Sequence, residues 1–230
     1  MTTNPAPNSG YDNTNTIATT IHGRYLLVVP EGSGPHPLLM GFHGYGENAE
    51  IQLDALRSIP GADSWALCAV QGLHRFYDRK TDEVVGSWMT KQDRELAISD
   101  NVAYVRGVIE TIRLQSWACE KLVYAGFSQG VAMAYRAAAF VGFPSQGLIA
   151  LGGDLPADVL ETGLKRIPEL LIGTGSEDPW YTPARLAEDQ AKLEALGLRP
   201  MTMIFEGGHE WTEAFRTRAG AFLADVLRGQ

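Results

Sequence analysis

The residues best suited to chemistry in this sequence are Gly126-Phe127-Ser128-Gln129-Gly130, in which a serine stands between two glycines. An apolar run typical of a buried strand, 122–125, comes before them, and an alanine-rich run typical of a helix, 131–139, follows. In this context the pattern predicts a nucleophile elbow, a tight strand-to-helix turn that exposes the serine above a sheet. Glycine is needed on both sides because a side chain there would collide with neighbouring backbone. Ser128 is therefore the predicted nucleophile.

A serine hydroxyl needs a base that accepts its proton, and the candidate is His209. On elbows of this type the serine is followed along the chain first by an acid and then by a histidine. Of the five histidines in the sequence, only His209 lies beyond Ser128. It follows a strand-like run, 201–205, and two glycines that allow a loop to bring the imidazole back over the sheet.

The acid that orients this histidine is predicted to be Asp178, which follows the apolar run 170–172 and precedes Pro179. Proline biases the residue before it towards an extended backbone, which suits a carboxylate held at a strand end. Two alternatives stay open: the adjacent Glu177, and Asp154, which ends the next strand after the elbow. An aspartate before a proline is also common in ordinary turns.

Attack on an acyl carbon places negative charge on its oxygen, and two backbone N–H groups are predicted to stabilise that charge. One belongs to Gln129, directly after the nucleophile. The other belongs to Tyr45 in the loop His43-Gly44-Tyr45-Gly46-Glu47, which follows the strand-like run 38–42. Glycines on both sides of Tyr45 favour an amide that faces the substrate. His43 itself is interpreted as structural rather than as a base.

Five motifs of the chain occur together, and in chain order they are His43-Gly44-Tyr45-Gly46-Glu47, Gly126-Phe127-Ser128-Gln129-Gly130, Leu151-Gly152-Gly153-Asp154-Leu155-Pro156, Asp178-Pro179 and Gly208-His209-Glu210. With them the sequence resembles the phospholipase/carboxylesterase family of α/β-hydrolases, which includes the acyl-protein thioesterases. The resemblance spans most of the chain. It implies an α/β-hydrolase fold and a serine-dependent esterase or thioesterase.

Three places in the sequence depart from the usual pattern of that family. Glu47 replaces an aspartate, Asp154 replaces an apolar residue, and Trp88-Met89-Thr90 stands where Trp-Phe-Asp is common. A polar Asp154 near the pocket is expected to disfavour a long acyl chain, because an unpaired buried carboxylate costs several kcal/mol.

The elements that must position these residues alternate along the chain. Strand-like runs near 37–43, 65–70, 121–126, 147–151, 169–174 and 200–205 alternate with helical runs near 49–57, 92–115, 129–142, 182–197 and 211–228. This order predicts one α/β domain over residues 16–230, with a mainly parallel twisted sheet, helices on both faces and no large cap domain. Residues 16–30 are predicted to form two edge strands bent at Gly23, and residues 1–15 a mobile segment.

Residues 74–88 have a charged centre between aromatic and β-branched flanks, which predicts a hairpin. The hairpin either lies over the active site, with Trp88 as a wall of the acyl pocket, or stands in solvent with its aromatic residues as anchors. Trp180 and Trp211 flank the predicted acid and base, and both are predicted to be core residues.

Composition and charge limit the classes of function. The net charge of −8, without a cluster of Lys and Arg, argues against nucleic-acid binding and favours an uncharged substrate group. The sequence has no metal-ligand or nucleotide-binding pattern, so neither a metal nor a cofactor is expected. No apolar run approaches the roughly 20 residues of a membrane span, and the start resembles no signal peptide, which favours a cytoplasmic protein. Cys68 and Cys119 are expected to be buried thiols.

Together these features predict a serine hydrolase that cleaves small or medium carboxylic esters through an acyl-enzyme intermediate. An acyl thioesterase would use the same groups and is the nearest alternative. A ligand-binding module that keeps the scaffold without turnover, and a serine peptidase, are the alternatives from other classes. The oligomeric state is left open by the sequence.

Overall fold

The computed structural model describes residues 15–32, 34–162 and 169–229, with the side chains of residues 119, 161 and 162 excepted. The segment 1–15, predicted to be mobile, therefore lies outside the described residues except for its last one. The strands are β1 Tyr25–Val28, β2 His36–Phe42, β3 Ala66–Val70, β4 His74–Tyr77, β5 Val84–Ser87, β6 Ala118–Phe127, β7 Gly147–Leu151, β8 Glu169–Gly175 and β9 Met201–Phe205. The helices are α1 Ala49–Arg57, α2 Arg94–Arg113, α3 Gln129–Phe140, α4 Ala157–Thr162, α5 Pro183–Ala195 and α6 Glu213–Arg228.

Seven of these strands form one sheet in the order β1-β3-β2-β6-β7-β8-β9. The strand β1 is antiparallel to β3, whereas each pair from β3 to β9 is parallel. The connections between these parallel strands contain helices, as parallel pairing requires, since a short turn cannot return the chain to the same end of a sheet. The predicted α/β fold with a mainly parallel sheet is confirmed.

The hydrophobic core lies in two layers, one on each face of the sheet. Successive strand residues point to opposite faces, so Met40 packs in one layer and its neighbour Leu39 in the other. The first layer contains buried residues of α2, α3 and α5, among them Val105, Tyr135 and Leu193. The second contains buried residues of α1 and α6. Both faces of the central strands are therefore covered, which explains why those strands are almost entirely apolar.

The parallel strands bring the predicted site residues to one edge of the sheet. Tyr45 follows the end of β2, Ser128 the end of β6, Asp178 the end of β8 and His209 the end of β9. Because the carboxyl ends of parallel strands lie at the same edge, residues far apart in sequence meet there.

The element boundaries predicted from the sequence agree with the structure to within about three residues for these strands and helices. Two differences concern short elements. Only Tyr25–Val28 of the segment 16–30 forms a strand, so the prediction of two strands bent at Gly23 is wrong. The short helix α4 was not predicted, because six residues are too few to show helical periodicity.

Two further sequence predictions concern membranes and cysteines. Among the described residues, no helix is long and apolar enough to cross a membrane. The Cys68 side chain is buried, as predicted, and burial raises the pKa of its thiol, so that it stays protonated. The side chain of Cys119 lies outside the described part of the chain.

Candidate active site

The turn between β6 and α3 has the conformation expected of a nucleophile elbow. Ser128 has φ 51° and ψ −121°, which is a strained backbone for any residue other than glycine. A Cβ added at Gly126 would lie 2.5 Å from the carbonyl oxygen of Gly130. One added at Gly130 would lie 2.0 Å from the carbonyl oxygen of Phe42. Side chains at these two positions are therefore excluded by backbone, for the reason inferred from the sequence.

The imidazole of His209 is hydrogen-bonded to the carboxylate of Asp178. The distance from Nδ1 of His209 to Oδ2 of Asp178 is 2.7 Å. The other carboxylate oxygen, Oδ1, accepts hydrogen bonds of 2.9 Å from the backbone N–H groups of Trp180 and Tyr181. The Asp178 side chain is 1% exposed and that of His209 is 11% exposed. Asp178 is thus a buried carboxylate held in one orientation, and it fixes the ring of His209.

The two alternative acids do not contact His209. Glu177 is exposed, although its backbone N–H donates to the carbonyl of Gly207. Asp154 forms an ion pair of 3.3 Å with Arg185, and its side chain is 55% exposed. Burial raises the pKa of Asp154, while Arg185 acts to lower it. Asp154 is therefore neither unpaired nor fully buried, because Arg185 of α5 lies beside it, and the expectation that it disfavours a long acyl chain stays a prediction.

Ser128 and His209 line one cavity of about 500 Å³, which we call the aromatic cavity. Its lining residues are Gly44, Tyr45, Glu47, Phe127, Ser128, Trp180 and His209. The ring of His209 lies between two aromatic rings, with centroid distances of 4.8 Å to Phe127 and 4.7 Å to Trp180. Within the described residues, Nε2 of His209 has no hydrogen-bond partner. That nitrogen is therefore available to a reacting group.

Trp180 is a lining residue of the site and not a core residue as predicted. Its side chain is 65% exposed, whereas the next residue, Tyr181, is buried. The carboxylate of Asp178 accepts hydrogen bonds from the amides of both residues, and in this turn Tyr181 enters the core while Trp180 does not. Trp211 is half-buried and packs on Phe215 with a centroid distance of 5.6 Å, in line with its prediction.

The loop after β2 holds the Tyr45 amide between two amides that are already bonded. The N–H of Gly44 donates to Oε2 of Glu47 at 2.7 Å, and that of Gly46 donates to the carbonyl of Gly86 at 3.0 Å. Gln129 is the first residue of α3, so its N–H has no acceptor within the helix. The close approach of α3 to the end of β2 at Gly130 brings these two backbone segments together.

The buried residue His43 has both ring nitrogens occupied by backbone groups. Its Nδ1 lies 2.7 Å from the carbonyl oxygen of Gly44, and its Nε2 accepts a hydrogen bond of 2.9 Å from the N–H of Gly72. A carbonyl can only accept, so the proton is on Nδ1 and the ring is neutral. Burial lowers the pKa of His43, which keeps it neutral. This environment supports the interpretation of His43 as structural.

Trp88 lies beneath the loop after β2, so of the two alternatives given for the hairpin, the one with Trp88 as a wall of the acyl pocket is not supported. The Trp88 side chain is completely buried, and its indole N–H donates to the carbonyl of His43 at 2.8 Å. The predicted hairpin is present as β4 and β5, and it braces the same loop. Gly86 of the hairpin pairs with Glu47, and the rings of Phe76 and Tyr45 are 5.5 Å apart.

The side chain of Gln129 has a role that the sequence did not reveal. Its Oε1 accepts hydrogen bonds from the N–H of Trp88 at 2.9 Å and from the hydroxyl of Ser87 at 3.2 Å. Its Nε2 donates to the carbonyl of Met89 at 3.0 Å. The residue after the nucleophile thus ties the elbow to the end of the hairpin. The only sequence signal is a long amide side chain at that position.

A second cavity of about 430 Å³ touches Ser128 and Gln129, and we call it the basic cavity. The charged residues in its lining are Lys91, Arg94, Asp154 and Arg185. Trp180 lines both cavities. Lys91 and Arg94 come from one segment, and Arg185 comes from another that is distant in sequence, so no local pattern marked the three together. The described residues contain no group of His, Cys, Asp and Glu side chains arranged to hold a metal ion.

Comparison with known proteins gives a fold-level likeness. No protein-family model matches the sequence, and no curated protein is similar to it in sequence. A carboxylesterase from Mesorhizobium loti is 18% identical, with a TM-score of 0.71, over 91% of this chain and 98% of that one. Acyl-protein thioesterase 2 from Zea mays is 19% identical, with a TM-score of 0.70, over 90% of this chain and 100% of that one.

A third solved structure, the carboxylesterase of Bacillus cereus, is 16% identical, with a TM-score of 0.67, over 89% of this chain and 94% of that one. These neighbours are carboxylesterases and an acyl-protein thioesterase, the kinds of protein that the sequence resembles through its five motifs. The coverage is nearly complete in both directions, so the likeness concerns the whole architecture and not one motif. This chain has the α/β-hydrolase fold seen in carboxylesterases and acyl-protein thioesterases.

Proposed function

We propose that this protein is a serine hydrolase that cleaves small or medium carboxylic esters through an acyl-enzyme intermediate. The nucleophile is Ser128, the base is His209 and the orienting acid is Asp178. One observation supports this most strongly: His209, bonded to a buried carboxylate, shares a cavity with a serine on a strained turn. A merely structural histidine does not need an open cavity, and a merely structural serine does not need a strained backbone.

The first step forms the acyl-enzyme. Because Nδ1 of His209 is bonded to Asp178, Nε2 is the nitrogen that accepts the proton of Ser128 as Oγ attacks the ester carbonyl. The electron pair of the C=O bond moves to its oxygen. The carboxylate of Asp178 stabilises the imidazolium. The amides of Trp180 and Tyr181 keep that carboxylate in place.

The negative oxygen of the intermediate is held by the backbone N–H groups of Tyr45 and Gln129, each contributing roughly 3 kcal/mol. The intermediate collapses when the C–O bond to the alcohol breaks and His209 gives its proton to the departing oxygen. Water then attacks the acyl-enzyme while His209 accepts a proton from it. When the bond between the acyl carbon and Oγ of Ser128 breaks, His209 returns that proton to Oγ and the acid leaves.

Cavities of about 430 and 500 Å³ beside Ser128 favour substrates of small or medium size. A thioester needs the same groups, and the likeness to the Zea mays acyl-protein thioesterase supports thioester hydrolysis as the second candidate function. The expected partners are small ester or thioester molecules. A cytoplasmic location belongs to the same proposal.

The test is a panel of 4-nitrophenyl esters and acyl thioesters of equal chain length, assayed with the wild-type protein and Ser128→Ala. We expect ester hydrolysis by the wild type and a loss of about a million-fold in kcat for Ser128→Ala. The matched control is Ser99→Ala, an exposed serine of α2, which should keep full activity. A Ser128→Ala protein that retains activity contradicts the proposal.

The same panel separates the alternatives. A preference for thioesters at equal chain length supports the thioesterase function. A substrate that binds but is recovered intact after long incubation supports a binding module without turnover.

A further inference from the structure

The two cavities that meet at Ser128 differ in charge. The aromatic cavity contains one carboxylate, Glu47, beside His209. The basic cavity contains three basic side chains against the one carboxylate of Asp154. This excess of positive charge lies in a chain whose net charge is −8. A local reversal of the overall sign at a binding site favours anionic ligands there.

The position of His209 assigns the two cavities to the two halves of an ester, an assignment that rests on the proposed function. The departing alcohol oxygen takes its proton from His209, so the alcohol part must lie on the His209 side, in the aromatic cavity. The acyl part leaves the tetrahedral carbon in another direction. The basic cavity reaches Ser128 and Gln129 without His209 in its lining, so it is suited to the acyl part.

Two of the three basic side chains are available to a ligand. Arg185 is engaged, since it pairs with Asp154 at 3.3 Å and donates to the carbonyl of Trp180 at 2.9 Å. Within the described part of the chain, Lys91 and Arg94 form no ion pair, although the charge of Arg94 adds to the larger effect of Arg136 in lowering the pKa of Asp158. The nearby carboxylate of Asp158 is bound by the guanidinium of Arg136 through contacts of 2.8 and 2.9 Å.

We propose that the acyl group of the substrate carries a carboxylate, which Lys91 and Arg94 bind in the basic cavity. The preferred substrate is therefore a half-ester of a short dicarboxylic acid. Glu47 in the aromatic cavity repels the same carboxylate, so the charges of the two cavities select one orientation of the ester. The net charge of the chain led us to expect an uncharged substrate group. This proposal favours an anionic group instead, because the excess charge in the basic cavity is positive although the chain as a whole is negative.

The test compares the mono-4-nitrophenyl ester of adipic acid with the same compound methylated on its free carboxyl group. The two have the same reacting bond and differ in the charge at the far end of the acyl chain. We expect the wild-type kcat/KM to be at least about tenfold higher for the anionic ester. The double variant Lys91→Gln/Arg94→Gln should lose about tenfold on the anionic ester and change less than about twofold on the neutral one.

The matched control is Arg79→Gln/Lys80→Gln, which removes two exposed positive charges from the turn of the β4–β5 hairpin, outside both cavities. It should leave both esters unaffected. Equal kcat/KM values for the two esters in the wild type overturn the inference and leave the proposed function standing. An equal loss on both esters in the Lys91→Gln/Arg94→Gln variant overturns it as well.

Binding of free adipate, measured by calorimetry, keeps the inference separate from catalysis. If neither ester is cleaved, the proposed function fails. Adipate binding that weakens about tenfold in the Lys91→Gln/Arg94→Gln variant, and not in the control, still supports the anion site. Adipate that does not bind to the wild-type protein overturns it.

Discussion

Two histidines lie near the same edge of the sheet, and they differ in burial and in hydrogen-bond partners. His43 is completely buried, and backbone groups occupy both of its ring nitrogens. His209 has one nitrogen on the carboxylate of Asp178 and lies in an open cavity with Ser128. Burial without a charged partner lowers the pKa of His43 and keeps it neutral. The comparison teaches that the partners of a histidine, and not its position beside an active site, decide whether it can transfer protons.

The largest effect is expected from removing His209, the histidine proposed to transfer protons. His209→Ala should lower kcat by about a million-fold, because Ser128 then has no base. Its thermal stability should fall only modestly, because the Asp178 carboxylate loses one partner but keeps its hydrogen bonds from the amides of Trp180 and Tyr181. Steady-state kinetics on 4-nitrophenyl esters and a thermal melt check both parts. A variant that retains a tenth of the wild-type kcat would contradict the proposal that His209 is the base.

The next effect concerns the partner that distinguishes His209. Asp178→Asn should lower kcat by about ten-thousand-fold, because an amide can present its N–H to Nδ1 and favour the wrong tautomer. The neighbouring exposed residue provides the control, and Glu177→Gln should change kcat by less than about threefold. Similar losses in the two variants would mean that Asp178 is not the orienting acid.

Replacing the buried histidine should affect stability more than chemistry. His43→Ala leaves the N–H of Gly72 without its acceptor and opens a cavity beneath the loop that holds Tyr45. We expect the free energy of unfolding to fall by about 3 kcal/mol, measured by urea denaturation. The folded fraction should still cleave esters far faster than His209→Ala. A stability equal to that of the wild type would show that His43 is not a packing residue.

The smallest effect is a pH dependence of stability. The pKa of His43 is lowered in the folded protein, whereas in the unfolded chain it has its ordinary value near 6.5. Below that pH the unfolded state binds a proton that the folded state does not, so stability falls as pH decreases below about 6.5. Urea denaturation at pH 7.5 and pH 5.5 should show a smaller decrease for His43→Gln than for the wild type. Equal decreases in the free energy of unfolding for the two proteins would mean that His43 does not contribute to the pH dependence of stability.

The features predicted correctly from the sequence are those that short local patterns encode. The glycines around Ser128 indicate a turn in which neighbouring backbone leaves no room for a side chain. Strands such as β7 are continuous apolar runs. The adjacency of Asp178 and His209 follows from strand order, once the sheet is known to be parallel. The carboxylate that binds His209 is also the one that the sequence favoured over Asp154 and Glu177.

The features that the sequence did not reveal depend on contacts between distant segments. Trp180 was predicted to be a core residue but lies open beside His209, whereas Trp88, a candidate pocket wall, is buried with its indole N–H on the carbonyl of His43. Which tryptophan enters the core depends on how the turns after β5 and β8 close, and no short pattern specifies that. Lys91 and Arg94 likewise meet Arg185 only in the folded chain.

The most direct test of the central claim is covalent labelling with a fluorophosphonate, followed by mass spectrometry of peptides. The probe reacts only with a serine that a neighbouring base activates. We predict one adduct per chain, on the peptide that contains Ser128, with labelling abolished in Ser128→Ala, strongly slowed in His209→Ala and retained in His43→Gln. A folded wild-type protein that stays unlabelled, or one labelled at a different residue, would contradict the assignment of Ser128 and His209 as the reacting pair.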